Sequence, residues 1–378
     1  MDAHITDGAR GAAPAHHLAD HIRLAQVLVP CRDLAATLAF FTDRLGFKVN
    51  LIFPADSPST AVISGHGLTL RLEATQADTT PITLRLLCDL SSLPAGTPQA
   101  LTAPGGTRIE LAELRQPVEV PEGAQEFVLS RMADTWGIGR AGMQYRDLIP
   151  SRLGGRFIAS HIRIPEGGPV PDYVHFHRIR FQMIYCRKGW ARLVYEDQGE
   201  PFLFHAGDCV LQPPEIRHRV LEASTGLEVV EIGCPALHET FADHAMVLPT
   251  PHLLPERDFS GQRFVRHIAA EARWLPWRGK EFEMRDIGIA AATDGLAGVR
   301  VVRPGGKSVA KASFGPHGGE LLFLFVLQGR CDLDAAQFGG HRLSAGDSCV
   351  IPADISYDIA ADSGFEMLEV ALPANLLG

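Results

Sequence analysis

The sequence predicts a mainly β protein with an α+β module at its N-terminus, and three observations carry that prediction. Beyond residue 133 the chain consists of short Val/Ile/Phe-rich runs such as "RFIASHIRI", "FQMIYC", "WARLVYE", "VRVVR" and "LLFLFVLQG", separated by Gly, Pro and Asp turns. Many short strands at regular turn spacing form antiparallel sandwiches or barrels. The same region repeats itself. "QYRD" (144–147) recurs as "EMRD" (283–286), "PEGG" (165–168) as "RPGG" (303–306), Gly189 as Gly329, "AGD" (206–208) as "AGD" (345–347) and Pro213 as Pro352, every offset lying between 138 and 140. A constant offset means two copies of one fold, at roughly 133–240 and 263–378. The third observation is a helical pattern in the first third of the chain, set among strand-like runs.

Taken in order, residues 1–20 are Ala/Gly-rich, lack the apolar stretch of a signal peptide and are expected to be a disordered leader. "HIRLAQVLVP" (21–30) alternates as a strand does, and "RDLAATLAFFTDRLG" (32–46) follows with Leu34, Leu38, Phe41 and Leu45 at helical spacing and Gly46 as its stop. Strand-like runs at 47–53, 60–64 and 67–74 complete a βαβββ unit. "ITLRLLCDL" (82–90) opens a second such pattern. Its helix is replaced by the Pro/Gly/Ser-rich "SSLPAGTPQALTAPGG", and "TRIELAEL" (107–114) closes it as a strand. "RQPVEVPEGAQE" (115–126) reads as a linker, and the chain therefore divides into a leader (1–20), an α+β module (21–115), a linker (116–132), a first β-barrel (133–240) and a second (241–378).

The bulk numbers narrow the class of partner. The chain has 378 residues, 46% apolar and 21% charged, as an ordinary globular protein does. A formal charge of −9 opposes binding to nucleic acid or to an anionic membrane, so a small-molecule partner is expected. Seven scattered cysteines with no Cys-x-x-Cys pair fit a reducing cytoplasm rather than a disulfide framework. A cytoplasmic homodimer is expected.

Chemistry concentrates in "YVHFHRIRFQMIYCRKGWARL" (173–193) and "GDCVLQPPEIRHRV" (207–220). On a strand, alternate residues share a face, so His175 and His177 point the same way and can reach one ion. Gly168, His175-x-His177, Gln182, Gly189, and then Gly207, Pro213 and His218 closely resemble the two sequence motifs of the cupin superfamily, small β-barrels that hold a metal inside. The paired units make 133–378 resemble a bicupin, with three-histidine centres of the gentisate-dioxygenase type as the implied chemistry. "VLVPCRDLAATLAFFTDRLGFKV" with "LTLRLEA" resembles the vicinal-oxygen-chelate (glyoxalase/bleomycin-resistance/extradiol dioxygenase) superfamily. That resemblance implies ligand positions at Gln26 and Glu73, with Ile82 and Glu110 or Glu113 in the truncated echo. A packing or dimerisation role is expected for that module instead.

The resemblance implies one divalent metal per chain held by His175, His177, Gln182 and His218, all of them also catalytic. Cupins usually carry glutamate at the Gln182 position. A neutral amide there removes a Coulomb contribution on the order of 4 kcal/mol at about 4 Å and an effective dielectric of about 20. Such a site should welcome an anionic substrate group. Nitrogen and oxygen donors suit Fe(II), which is favoured here, or Mn(II), Ni(II), Cu(II) or Zn(II). In the second unit the offset places Gly315, His317, Leu322 and Tyr357 at the ligand positions, so that barrel is expected to be a metal-free scaffold. His161 and Arg163 share a strand face and, if inward, would bind a substrate carboxylate. Cys186, at strand spacing from Gln182, is a further candidate for the cavity wall. Arg178 and Arg180 are expected as surface charges, and Trp136 and Trp277 as packing residues.

Three functions follow as expectations. The first is an Fe(II)-dependent dioxygenase acting with O2 on a small anionic substrate. The second is a metal-dependent isomerase, lyase or hydrolase of a hydroxy- or oxo-acid without O2. The third is a non-catalytic binder of a small ligand.

Overall fold

The computed structural model describes residues 22–77, 80–139, 143–306 and 308–376. The leader expected over 1–20 lies outside the described residues. The chain forms two compact units, 1–117 and 118–378.

In the first unit the strand Val27–Cys31 leads into the helix Leu34–Ala39, whose first turn is capped by Asp33: its side-chain oxygen accepts from the Ala36 N–H at 2.9 Å. A wider π-type turn, Phe40–Arg44, continues it. The strands Lys48–Phe53, Thr60–Gly65 and Leu68–Ala74 complete the βαβββ order, and Val27–Cys31 lies parallel to Leu68–Ala74. Leu34, Phe40 and Phe41 pack with Ile63, Leu70 and Leu72, so the helical spacing read from the sequence marks the buried face. The echo forms a three-stranded sheet of Thr83–Cys88, Ala100–Thr102 and Arg108–Glu113 with only a 3₁₀ turn, Leu90–Ser92, in place of a helix.

The second unit holds two barrels, each closed by two facing sheets. In the first, a seven-stranded sheet contains Phe181–Lys188, Leu227–Cys234 and Ile158–Ile164, and a six-stranded sheet contains Trp190–Tyr195, His218–Ala223 and His175–Arg178. In the second, Leu321–Gln328, Glu366–Leu372 and Gly298–Pro304 face the four-stranded sheet that contains Tyr357–Asp362 and Arg330–Ala335. Both barrels turn after the equivalent strand on a glycine with positive φ, Gly189 at 79° and Gly329 at 67°. A Cβ at Gly189 would come within 2.4 Å of Ser224 Oγ, so the turn excludes other residues by space as well as by backbone geometry.

Each barrel borrows an edge strand from the segment that precedes the other. Val128–Ser130 pairs with Ser348–Val350 of the second barrel, and Val265–His267 pairs with Cys209–Leu211 of the first. The repeated "AGD" turns clasp these strands. Asp208 accepts from His205 N at 2.9 Å and from Ala269 N at 2.8 Å; Asp347 accepts from Ser344 N at 3.0 Å and from Met132 N at 2.8 Å. The expected linker 116–132 is therefore corrected over part of its length: its end is a strand of the second barrel. The two barrels also share the largest apolar core, in which Phe181, Met183 and Tyr185 meet Phe323, Phe325 and Val370. Alternation then turns Gln182 and Ile184 into the first barrel, whereas Leu322, Leu324 and Val326 fill the second.

Candidate metal centre

His175 stands opposite His218 on adjacent antiparallel strands, and His177 follows on the same face as His175. Ring centroids lie 4.3 Å apart for His175 and His218, and 5.3 Å apart for each of the other two pairs. One ring nitrogen from each lies within 4.8 Å of the others. His175 and His218 are buried and His177 is half-buried. The outer nitrogens are engaged by the backbone: His175 Nδ1 lies 2.9 Å from the Tyr173 carbonyl and His218 Nδ1 lies 3.0 Å from the Ile216 carbonyl. A carbonyl can only accept, so each Nδ1 carries the proton and each Nε2 keeps its lone pair. His177 Nδ1 has the Thr240 hydroxyl at 2.9 Å. This tautomer pattern suits a cation.

Gln182 is buried and lies on the cavity wall, on a strand of the sheet that faces the one carrying the three histidines. Its Nε2 donates to Glu231 Oε1 at 2.6 Å, while its Oε1, also buried, has no hydrogen-bond partner among the described residues. An orphaned amide oxygen is costly to bury, and a metal ion is one group that would use it. Three convergent imidazoles and one unused amide oxygen thus fit a divalent ion. No carboxylate among the described residues joins the cluster of three histidines. The cavity measures about 660 Å³, with Ile158, Ile162, Ile184, Leu193 and Val229 among its apolar lining.

The other predicted substrate residues are placed elsewhere. On Ile158–Ile164 the even-numbered residues line the cavity, so His161 and Arg163 face the opposite way, and the expectation that they bind substrate is corrected. His161 is fully buried behind the barrel, with Nε2 2.9 Å from Glu228 and Nδ1 3.1 Å from Arg146 Nη2. An arginine only donates, so His161 Nδ1 accepts and Nε2–H donates to Glu228: the ring is neutral. Burial, foremost, holds its pKa below the usual histidine range. Glu228, held by His161 and also bonded by Arg187, is lowered to about 2. Arg163 bonds Gln144 and lies 4.5 Å over the Trp136 ring. Cys186 also misses the cavity. The register is unbroken from Phe181 to Cys186, so Cys186 shares the inward face of Gln182 and Ile184 but lies past the end of the cavity; its thiol packs in the apolar core of the barrel, where burial pushes it up to about 12.

Arg180, expected as a surface charge, forms a two-pronged pair with Glu320 at 2.8 and 3.0 Å, reinforced by Arg156 at 2.7 Å, and so ties the first barrel to the second. Arg178 faces Glu215 and Glu239, each at 3.5 Å. In the first unit, Glu73 pairs with Arg71 at 2.6 Å, Glu110 with Arg108 at 3.4 Å, Glu113 accepts from Leu90 N, and Gln26 precedes the first strand.

At the equivalent position of the second barrel, His317 is held by the backbone on both sides, with Nε2 3.1 Å from the Ile351 carbonyl and Nδ1 accepting from Gly319 N at 3.2 Å. Tyr357, Leu322 and Leu324 fill the interior, and Trp277 joins them with its ring against Phe282 and Phe314. Glu369, fully buried, pairs with Arg278 at 2.6 Å and with Arg300 at 3.1 Å.

Sequence reasoning did not single out Glu231, Tyr195, His238 or Thr240, all of which line the cavity. Tyr195 stacks on His218 at 5.5 Å and accepts from Gln212 Nε2 at 2.9 Å; His238 lies 5.4 Å from the His177 ring. A signal for Glu231 existed, since Glu369 lies 138 residues on, within the offset of the other repeat landmarks.

Comparison with known proteins agrees with this architecture. Residues 23–129 match the family model described as Glyoxalase/Bleomycin resistance protein/Dioxygenase superfamily. A search of curated proteins finds no match. Among solved structures, oxalate decarboxylase from Bacillus subtilis at pH 4.6 superposes with a TM-score of 0.50 at 13% identity, covering 68% of this chain and 79% of that one. A second structure of the same enzyme, from work on its Mn(II) centres, gives a TM-score of 0.50 at 12% identity with the same coverage. A serine-to-alanine variant of that enzyme gives 0.50 at 11%, covering 68% and 80%. The fold is a bicupin, mainly β, with a glyoxalase-type domain at the N-terminus. Among the described residues no helix is long and apolar enough to cross a membrane.

Proposed function

We propose that this chain is a metal-dependent cupin enzyme that takes an anionic organic substrate into its first barrel, with Fe(II)-dependent dioxygenation as its leading chemistry. The observation that carries the reading is the donor set: three imidazoles converging on one point, with no carboxylate in the cluster among the described residues, and a buried, unpartnered amide oxygen on the wall of the same cavity. His175, His177 and His218 would hold the ion, with Gln182 as a neutral fourth donor. When bound, the ion supplies Lewis acidity and, as iron, a route to O2. The uncompensated charge attracts a carboxylate or enolate. The walls then select its body. A cavity of about 660 Å³ lined by Ile158, Ile162, Ile184, Leu193 and Val229 is far roomier than a two-carbon diacid needs, so the substrate carries an extended apolar portion beyond its anionic end.

A second reading, a lyase, isomerase or hydrolase that works on a hydroxy- or oxo-acid without O2, is favoured by one observation. Glu231 places a carboxylate on the cavity wall, with the Gln182 amide as its hydrogen-bond partner. Metal analysis of anaerobically purified protein, followed by an oxygen-electrode screen of gentisate-like and β-dicarbonyl acids, separates the two. Oxygen uptake matched to substrate loss supports the dioxygenase; turnover without oxygen uptake supports the second reading. Binding of these acids without turnover of any of them would contradict both.

A further inference from the structure

Glu231 and its repeat partner Glu369 occupy the same place in their barrels. Glu231 stands opposite Ile184, and Glu369 opposite Leu324, in matching strand registers. Their neighbours differ. Glu369 is neutralised by Arg278 and Arg300, with Leu322 where the first barrel has Gln182. Glu231 has no arginine or lysine partner among the described residues; its bond is the 2.6 Å contact from Gln182 Nε2. A carboxylate only accepts hydrogen bonds, so it selects the NH2 end of the amide and turns the carbonyl end away from itself. That carbonyl oxygen is the buried Oε1, which has no hydrogen-bond partner among the described residues.

We propose that Glu231 is a positioning residue for the metal centre: it locks the Gln182 amide in the one orientation that presents Oε1, rather than NH2, to an ion held by the three histidines. The proposal rests on the metal reading above and deepens it. Without Glu231 the amide flips freely, and half of its orientations aim hydrogens at a cation.

The test uses the full chain loaded with Co(II), whose visible absorption reports the number and type of ligands, with circular dichroism to confirm folding. Glu231→Leu is expected to shift the visible bands to those of Gln182→Leu and to weaken Co(II) binding by about 10- to 100-fold, as loss of a ligand-orienting partner does. Glu231→Gln, whose own amide oxygen can still accept from Gln182 Nε2, should keep the wild-type bands and provides the comparison if the leucine variant does not fold. The double leucine variant should match Gln182→Leu in spectrum, since the two residues act as one unit. Wild-type bands in Glu231→Leu, even with weaker binding, would overturn the proposal, because lost charge alone lowers affinity without changing the ligands. Shifted bands in Glu231→Gln equal to those of Gln182→Leu would overturn it too. A wild-type protein that takes up no Co(II) would instead remove the metal reading on which the proposal stands.

Discussion

His218 and Tyr357 hold the same position in the two barrels, His218 opposite Tyr195 and Tyr357 opposite Ala335 on the equivalent strand pair, yet one ring faces an open cavity and the other is part of a filled interior. The Tyr357 hydroxyl accepts from Arg278 Nη2 at 2.8 Å, and Arg278 in turn pairs with the fully buried Glu369. In the first barrel the corresponding space is lined by histidines and an amide. One duplicated fold thus encloses an open cavity in its first copy and a filled interior in its second.

The Glu369 cluster should matter for stability and not for metal. Glu369→Gln removes the charge that balances Arg278 and Arg300, and breaking a buried ionic group by removing one partner costs on the order of 3 kcal/mol. Urea unfolding should show the loss while metal content stays at the wild-type level.

Stability should fall on acidification in two windows. His161, neutral between Arg146 and Glu228, resists protonation when folded, whereas the unfolded chain takes up a proton at the ordinary histidine value of 6.5, so stability declines as pH drops below that value. Glu228 is lowered from 4.5 to about 2, so its contribution is full above 4.5 and is lost as pH falls toward 2. His161→Gln can accept from Arg146 and donate to Glu228 without titrating. It should flatten the slope of thermal stability from pH 6.5 downward relative to wild type. His267 and His317, also buried and lowered, keep the remaining slope.

The exchanged edge strands make a further prediction. A chain beginning at residue 118 retains Val128–Ser130 on Ser348–Val350, along with the Arg131 to Asp347 ion pair at 3.0 Å; a chain beginning at residue 133 loses both. The shorter chain should unfold at lower denaturant, leaving the Ser348–Val350 edge without its partner. Equal midpoints for the two would show that the strand contributes nothing.

Much of this was legible in the sequence. The βαβββ module follows from the Leu34, Phe41 periodicity and the turns around it, and the duplicated barrels from landmarks at a fixed offset, because positive-φ turns such as those at Gly189 and Gly329 admit little besides glycine. The strand exchange was not legible: Val128–Ser130 is three residues long and carries no period, and its partner lies far along the chain, Val128 facing Val350. The facing of His161 and Arg163 was hidden for another reason. Alternation shows that they share a face, but both faces of Ile158–Ile164 are buried, one against the cavity and one beneath the second barrel, so pattern alone does not choose between them. For Cys186 the spacing from Gln182 gave the inward face correctly, but not how far along the strand the cavity reaches before apolar side chains close it.

The most direct test of the account is the metal content of wild type and four single variants, measured by elemental analysis on protein purified without chelator. One divalent ion per chain is expected in wild type and in His317→Ala, whose ring is bonded by backbone on both sides. His175→Ala, His177→Ala and His218→Ala each remove one of three convergent imidazoles and should be nearly metal-free. Two ions per wild-type chain, or loss of metal in His317→Ala equal to that in His177→Ala, would contradict the assignment of a single centre to the first barrel.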